Sequence, residues 1–200
     1  TPGYDVGVSG EVEPPAMDEQ PHRTYLAYGS SITHGSLGLI QPDSYPFRIA
    51  QRLKTDYINM GFAGCALMEQ KMAEYLVSRK DWDFASVEMG INAVGNKRRL
   101  GLAEFEERID CFTQILSDDP RPVFATSIFG FNGEDQELAG KMRSIVSKYA
   151  SERLIFTDGL ELLNDAALIS ADCTHPSCRG IELIADKWGS IMQKHLKETC

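Results

Sequence analysis

Apolar residues alternate along the chain between two textures. Short runs with no polar face (Thr24 to Tyr28, Tyr57 to Phe62, Phe84 to Met89, Val123 to Phe129 and Leu154 to Thr157) have the length and composition of strands buried on both sides. Between them, Tyr45 to Leu53, Leu67 to Val77, Leu102 to Leu116 and Leu138 to Tyr149 repeat apolar side chains at three-to-four spacing, and Ile181 to Leu196 follows the last run in the same way. That period gives a helix one apolar stripe to lay on a sheet. Five strands, each followed by a helical stretch, predict an α/β domain with a five-stranded parallel sheet covered on both faces. In that architecture ligands gather at the carboxyl ends of the strands, where the strand order reverses.

The stretch before the first strand breaks this pattern. Residues 1–23 carry Pro14, Pro15 and Pro21 with several acids and no sustained period, and read as a lead-in, or the tail of an upstream domain. The domain itself is expected over 24–200.

The residues just after the strands are the polar ones. The first run leads into Tyr28-Gly29-Ser30-Ser31-Ile32-Thr33-His34-Gly35, the second contains Asn59-Met60-Gly61-Phe62-Ala63-Gly64, and the third leads into Gly90-Ile91-Asn92-Ala93. After the fifth, just before the last helix, comes Asp172-Cys173-Thr174-His175-Pro176. Four separate segments thus deliver a hydroxyl, glycine backbone, an amide and a carboxylate with an imidazole to one sheet edge.

Composition narrows what that edge can bind. The 29 acidic and 20 basic residues give a formal net charge of −9, which repels nucleic acid and anionic membrane surfaces over long range. A neutral or weakly charged small molecule suits the chain better. No apolar run reaches the roughly 20 residues of a membrane span. The N-terminal residues lack the basic-then-apolar layout of a signal peptide, which leans the expectation toward the cytoplasm. Cys65, Cys111, Cys173, Cys178 and Cys200 are odd in number and lack paired zinc spacing, so they read as reduced thiols; a bridge between Cys173 and Cys178 is the lesser alternative.

A serine hydroxyl becomes a competent nucleophile when a histidine takes its proton, and a carboxylate on the far ring nitrogen fixes the tautomer. Ser31, His175 and Asp172 supply those parts, with Asp172 and His175 close enough in sequence to share one turn. The backbone N–H groups of Ser31 and Gly64 and the amide of Asn92 are candidate donors to a developing oxyanion. Each part alone has a plainer reading. A serine or asparagine after a strand usually makes a turn or a cap, and Asp-x-x-His also occurs in surface turns and partial metal sites.

Taken together and in order, Ser31, Gly64, Asn92 and His175 resemble the four blocks of the SGNH/GDSL hydrolases. Gly29-Ser30-Ser31-Ile32 resembles Gly-Asp-Ser-Leu, Asn59 to Gly64 resembles Asn-x-Gly-x-x-Gly, Gly90-Ile91-Asn92 the start of Gly-x-Asn-Asp, and Asp172 to His175 Asp-x-x-His. The resemblance runs from about Tyr25 onward. It implies a flavodoxin-like three-layer α/β/α sandwich, ester hydrolysis through an acyl-enzyme, and no metal or organic cofactor. Ser30 and Ala93 replace two aspartates of the pattern, neither of them the triad acid, so their loops are expected to be held differently. The first block is similar to a branch that includes carbohydrate esterases, often behind a β-sandwich.

The resemblance makes Ser31 the nucleophile and leaves Ser30 and His34 as candidate substrate contacts. His22 and His195 read as solvated side chains. Loops after the strands are short, which favours an open site and a short acyl group such as acetyl on a small or carbohydrate alcohol. Three other readings stay open: an acyltransferase of the same fold, a flavodoxin-like protein whose Ser/Thr loop cradles the phosphate of FMN, and an inactive binding module.

Overall fold

The computed structural model describes residues 9–10, 13, 16, 20–38, 43–94 and 100–198. Most of the lead-in therefore lies outside the described residues, as does Cys200. The five strands are β1 (Thr24–Gly29), β2 (Asp56–Gly61), β3 (Phe84–Glu88), β4 (Val123–Thr126) and β5 (Leu154–Thr157). They form one sheet in the order β2-β1-β3-β4-β5, with every pairing parallel.

Burial follows position in that order. Every residue of β3 and β4, and all of β1 but Thr24, is buried, whereas the edge strands β2 and β5 keep partly exposed residues. A central parallel strand is roofed by helices on both faces and so carries no polar face. The α2 helix (Tyr45–Leu53) packs against α8 (Cys178–Glu198) on one side of the sheet. On the other, α3 (Gln70–Ser78), α5 (Leu102–Asp118) and α6 (Gln136–Ser147) pack in sequence. This is the expected three-layer α/β/α sandwich. Right-handed crossovers demand it, because the chain moves outward from β1 to β2 and then reverses through β3, β4 and β5.

The reversal puts the carboxyl ends of β1 and β3 side by side. Each end turns at once into a short helix, α1 (Ser31–His34) after β1 and α4 (Ile91–Val94) after β3. Neither was visible as a periodic pattern, since one turn is too short to show a period. A third short helix, α7 (Gly159–Leu162), follows β5, and a 3-10 turn spans Ala166–Leu168. None of the helices in the described residues is long and apolar enough to cross a membrane.

Candidate active site

Ser31 opens α1, and the residue before it sets its direction. Ser30 is in extended conformation (φ −83°, ψ −160°) and caps the helix through its Oγ, which accepts the Ile32 N–H at 3.1 Å. Its own N–H and Oγ–H both donate to Glu88 Oε2, at 2.8 and 2.7 Å. Ser30, expected from sequence as a candidate substrate contact, is 1% exposed with its hydroxyl turned to Glu88, and it is not among the residues lining the cleft. His34, the other candidate contact, is exposed at the end of α1 and is not among the residues lining the cleft. Its backbone is pinned against β2 instead: a Cβ on Gly61 would sit 2.2 Å from His34 N.

The Asn-x-Gly-x-x-Gly block serves this same junction. Asn59 Nδ2 donates to Thr33 O at 2.9 Å while Asn59 Oδ1 accepts the Gly61 N–H at 2.9 Å, tying β2 to α1. Gly64 then turns with φ +69°, in the left-handed region that favours glycine, and lines the cleft. Asn92, in α4, is 6% exposed. Its Oδ1 accepts the Ala66 N–H at 3.1 Å, which orients the amide and leaves the Nδ2 donors for the cleft that Asn92 lines.

The fourth segment folds on itself. Asp172 Oδ1 accepts the backbone N–H groups of Thr174 and His175, each at 3.0 Å, and the Ser170 hydroxyl at 2.8 Å, while Oδ2 pairs with His175 Nδ1. Cys173 takes φ +63° to close this turn, and a bridge between Ile169 and Pro176 holds its base. Partial burial alone raises the Asp172 pKa, but the hydrogen bonds from His175, Thr174 and Ser170 outweigh it and hold the carboxyl well below the usual carboxylate range. Asp172 is thus an anion against the ring. The other ring nitrogen, Nε2, lies 2.7 Å from Ser31 Oγ.

Ser31, Gly64, Asn92 and His175 all line one cleft of about 580 Å³, in the size range of small-molecule sites. Its remaining wall includes Ile91, Val94, Phe131, Glu134, Asp135 and Thr174. The segment carrying Phe131 to Asp135 follows β4, and the Asn132 N–H binds Cys173 O at 2.7 Å, joining this wall to the histidine turn. Sequence reasoning missed this wall because it carries no motif; its position after a strand was the available signal. Glu88 was missed as well. It stands 1% exposed at the end of β3, where burial pushes its carboxyl pKa up and the bonds from Ser30 and Thr33 offset this in part. A lone carboxylate in an otherwise apolar run marks such a residue. Among the described residues, Cys111, Cys173 and Cys178 are free thiols.

No family model matches the chain, and no curated protein matches it in sequence. Solved structures do. A G-D-S-L family protein from Desulfitobacterium hafniense DCB-2 superposes with a TM-score of 0.71 at 18% identity, over 85% of this chain and 99% of that one. A carbohydrate acetylesterase family member from Sinorhizobium meliloti gives 0.71 at 14% identity, over 88% of this chain and 100% of that one. A salicylyl-acyltransferase from a tetracycline biosynthetic pathway gives 0.64 at 19% identity, over 82% of this chain but only 52% of that one. The chain has the SGNH/GDSL hydrolase fold; at these identities the likeness is one of fold.

Proposed function

We propose that this chain is a serine esterase in which Ser31, His175 and Asp172 act as a catalytic triad on small, uncharged esters. The observation that carries the reading is the 2.7 Å contact between His175 Nε2 and Ser31 Oγ, made across 144 positions of sequence, with the opposite ring nitrogen held by an ionised Asp172. Such a line moves a proton from hydroxyl to imidazole as the hydroxyl oxygen bonds to carbon.

In the proposed reaction Ser31 Oγ attacks the ester carbonyl and His175 takes its proton. The negative charge passes to the carbonyl oxygen, where the N–H groups of Ser31 and Gly64 and the amide of Asn92 receive it. His175 then gives its proton to the departing alcohol, leaving an acyl-enzyme. Water, deprotonated by the same imidazole, attacks the acyl carbon; as the bond to Ser31 Oγ breaks, the imidazolium returns that proton to Oγ and the carboxylic acid leaves. No step calls for a metal or organic cofactor.

Glu134, Asp135 and Asp172 in the cleft wall disfavour a substrate that carries its own negative charge. A short acyl group such as acetyl, on a neutral alcohol or sugar, fits the open cleft. The fold is shared by an acetylesterase family member and an acyltransferase, so the acceptor is water or an alcohol according to which reaches the acyl-enzyme faster.

The test is initial rates of para-nitrophenyl acetate hydrolysis by wild type and Ser31→Ala, with circular dichroism on both. Saturable turnover that vanishes in the folded variant supports the triad. Equal, low rates in the two remove Ser31 as nucleophile and return weight to a binding or FMN-carrying role, the latter recognised by a yellow protein. Adding glycerol or a sugar and measuring acetylated product against free acetate separates hydrolysis from transfer.

A further inference from the structure

The buried face below the nucleophile contains a carboxylate that the proposed reaction does not use. Glu88 Oε2 accepts three hydrogen bonds, from Ser30 N–H at 2.8 Å, Ser30 Oγ–H at 2.7 Å and Thr33 Oγ1–H at 3.1 Å. All three donors belong to the turn that carries Ser31. Its other oxygen, Oε1, is buried and has no partner among the described residues, so the bonding of Glu88 is directed wholly at that turn. The approach depends on Gly29, where a Cβ would lie 2.1 Å from Thr33 Oγ1 and 2.7 Å from Glu88 Oε2. Thr33 Oγ1 also sits 2.7 Å from Tyr45 Oη, extending the network into α2.

We propose that Glu88 is a positioning residue that aims Ser31, both hydroxyl and amide, by anchoring Ser30 from beneath. This rests on the esterase reading. The geometry gives the reason. Ser30 N–H is taken by Glu88 and Ile32 N–H by Ser30 Oγ, while the Ser31 N–H between them has no acceptor among the described residues. Anchoring the neighbours on both sides leaves one amide free to meet an oxyanion and fixes the Cα from which Oγ reaches His175. A misplacement of about 1 Å in such a site costs on the order of 10²-fold in rate. A buried cluster of this kind is fixed only while every donor keeps its acceptor. Glu88 touches no reacting atom, so its removal should slow the chemical step and leave substrate binding nearly intact.

The experiment compares wild type, Glu88→Gln, Glu88→Leu and Ser30→Ala for kcat and KM on para-nitrophenyl acetate. It adds the rate of Ser31 labelling by a fluorophosphonate, all per folded molecule as counted by near-ultraviolet circular dichroism. Glu88→Leu, which strands three donors, is expected to lose about 10²-fold in kcat and in labelling rate with KM within about threefold. Glu88→Gln keeps an acceptor oxygen and is expected to stay within about tenfold of wild type, with Ser30→Ala between the two. Folded Glu88→Leu within about threefold of wild type overturns the proposal. So does Glu88→Gln as slow as Glu88→Leu, since charge and not anchoring would then be responsible. If Glu88→Leu does not fold, an unchanged labelling rate in Ser30→Ala overturns it equally. A wild type that is neither active nor labelled at Ser31 refutes the esterase reading, and this proposal with it; an active wild type with an indifferent Glu88→Leu refutes only the latter.

Discussion

The two halves of the site are built in opposite ways. On the side of the proposed nucleophile, Ser30 and Glu88 are each 1% exposed and Thr33 is 0% exposed, and the bonds that hold Ser31 join β1, β2, β3 and α2, segments distant in sequence. On the side of the proposed base, His175 and Asp172 keep 18% and 38% of their side-chain surface, and every bond to the Asp172 carboxylate comes from within six residues, Ser170 to His175, with Asn132 tying the turn to the loop after β4. One half owes its geometry to the folded core and the other mainly to a local turn. The difference separates two kinds of failure: damage to the base side should stop chemistry with little effect on stability, and damage to the buried supports of Ser31 should slow chemistry and lower stability together.

The largest effect should come from His175→Ala, with a kcat loss of roughly 10⁴-fold or more and a melting temperature close to wild type, read from steady-state rates and a thermal scan. A large fall in melting temperature would show that the base turn is not the independent unit it resembles. Asp172→Asn comes next, at roughly 10²- to 10⁴-fold, because an amide oxygen can still accept the Thr174 and His175 N–H groups while the amide nitrogen opposes the required ring tautomer. The loss should fall on kcat, with a smaller drop in stability at neutral pH, where the depressed Asp172 carboxylate contributes. Asn92→Ala removes one oxyanion donor and also the acceptor for Ala66 N–H, so about 10²- to 10³-fold is expected together with a measurable drop in stability.

Gly61→Ala lies outside the reacting groups altogether. Its new Cβ would meet His34 N at 2.2 Å and push α1 away from β2, at a cost of about 1–3 kcal/mol in a denaturant titration, with a slower enzyme as the companion effect. The smallest expected signal sharpens the contrast through pH. Glu88 has a raised pKa, so between its ordinary value of 4.5 and the raised one the folded chain binds more protons than the unfolded chain. Its contribution to stability therefore falls as pH rises through that window, and Glu88→Gln should flatten that slope. Asp172 runs the other way. Its pKa is depressed, so its contribution is present above the ordinary 3.8 and is lost as pH falls below that value, a loss that Asp172→Asn should remove. Urea titrations at a series of pH values would read both slopes.

The sheet and its helices were legible because each long element has a period. The expected Tyr45 to Leu53 and Leu154 to Thr157 coincide with α2 and β5, and the other long elements differ only at their ends. The expected fourth strand ran on to Phe129, but regular pairing stops at Thr126: Ser127 and Ile128 leave the ladder while staying buried, and an apolar run does not distinguish a buried loop from a strand. Of the residues lining the cleft, Ser31, Asn92, Asp172 and His175 were legible from side-chain chemistry that is rare in that position, and Gly64 from its glycine block. What escaped were partners defined by distance across the fold. Glu88 is separated from Ser30 by 58 positions, and Ser30, which looked like a rim hydroxyl, was turned inward by that partner. Nothing local in Gly29-Ser30-Ser31 states which way either hydroxyl points.

The Ser31 to His175 contact also has a consequence in time. It closes a span of 144 residues, whereas Asp172 meets His175 within three. Local turns form early and cheaply, and distant contacts must wait until the chain between them is ordered. During refolding the acid and base can therefore pair before the sheet exists, but they have no nucleophile to serve until β1 is enclosed by its neighbours and α8 has docked on α2. If the proposed triad is right, recovery of catalysis is expected to mark the end of folding, later than the return of helical signal, and a chain arrested short of that point would be folded in part and silent.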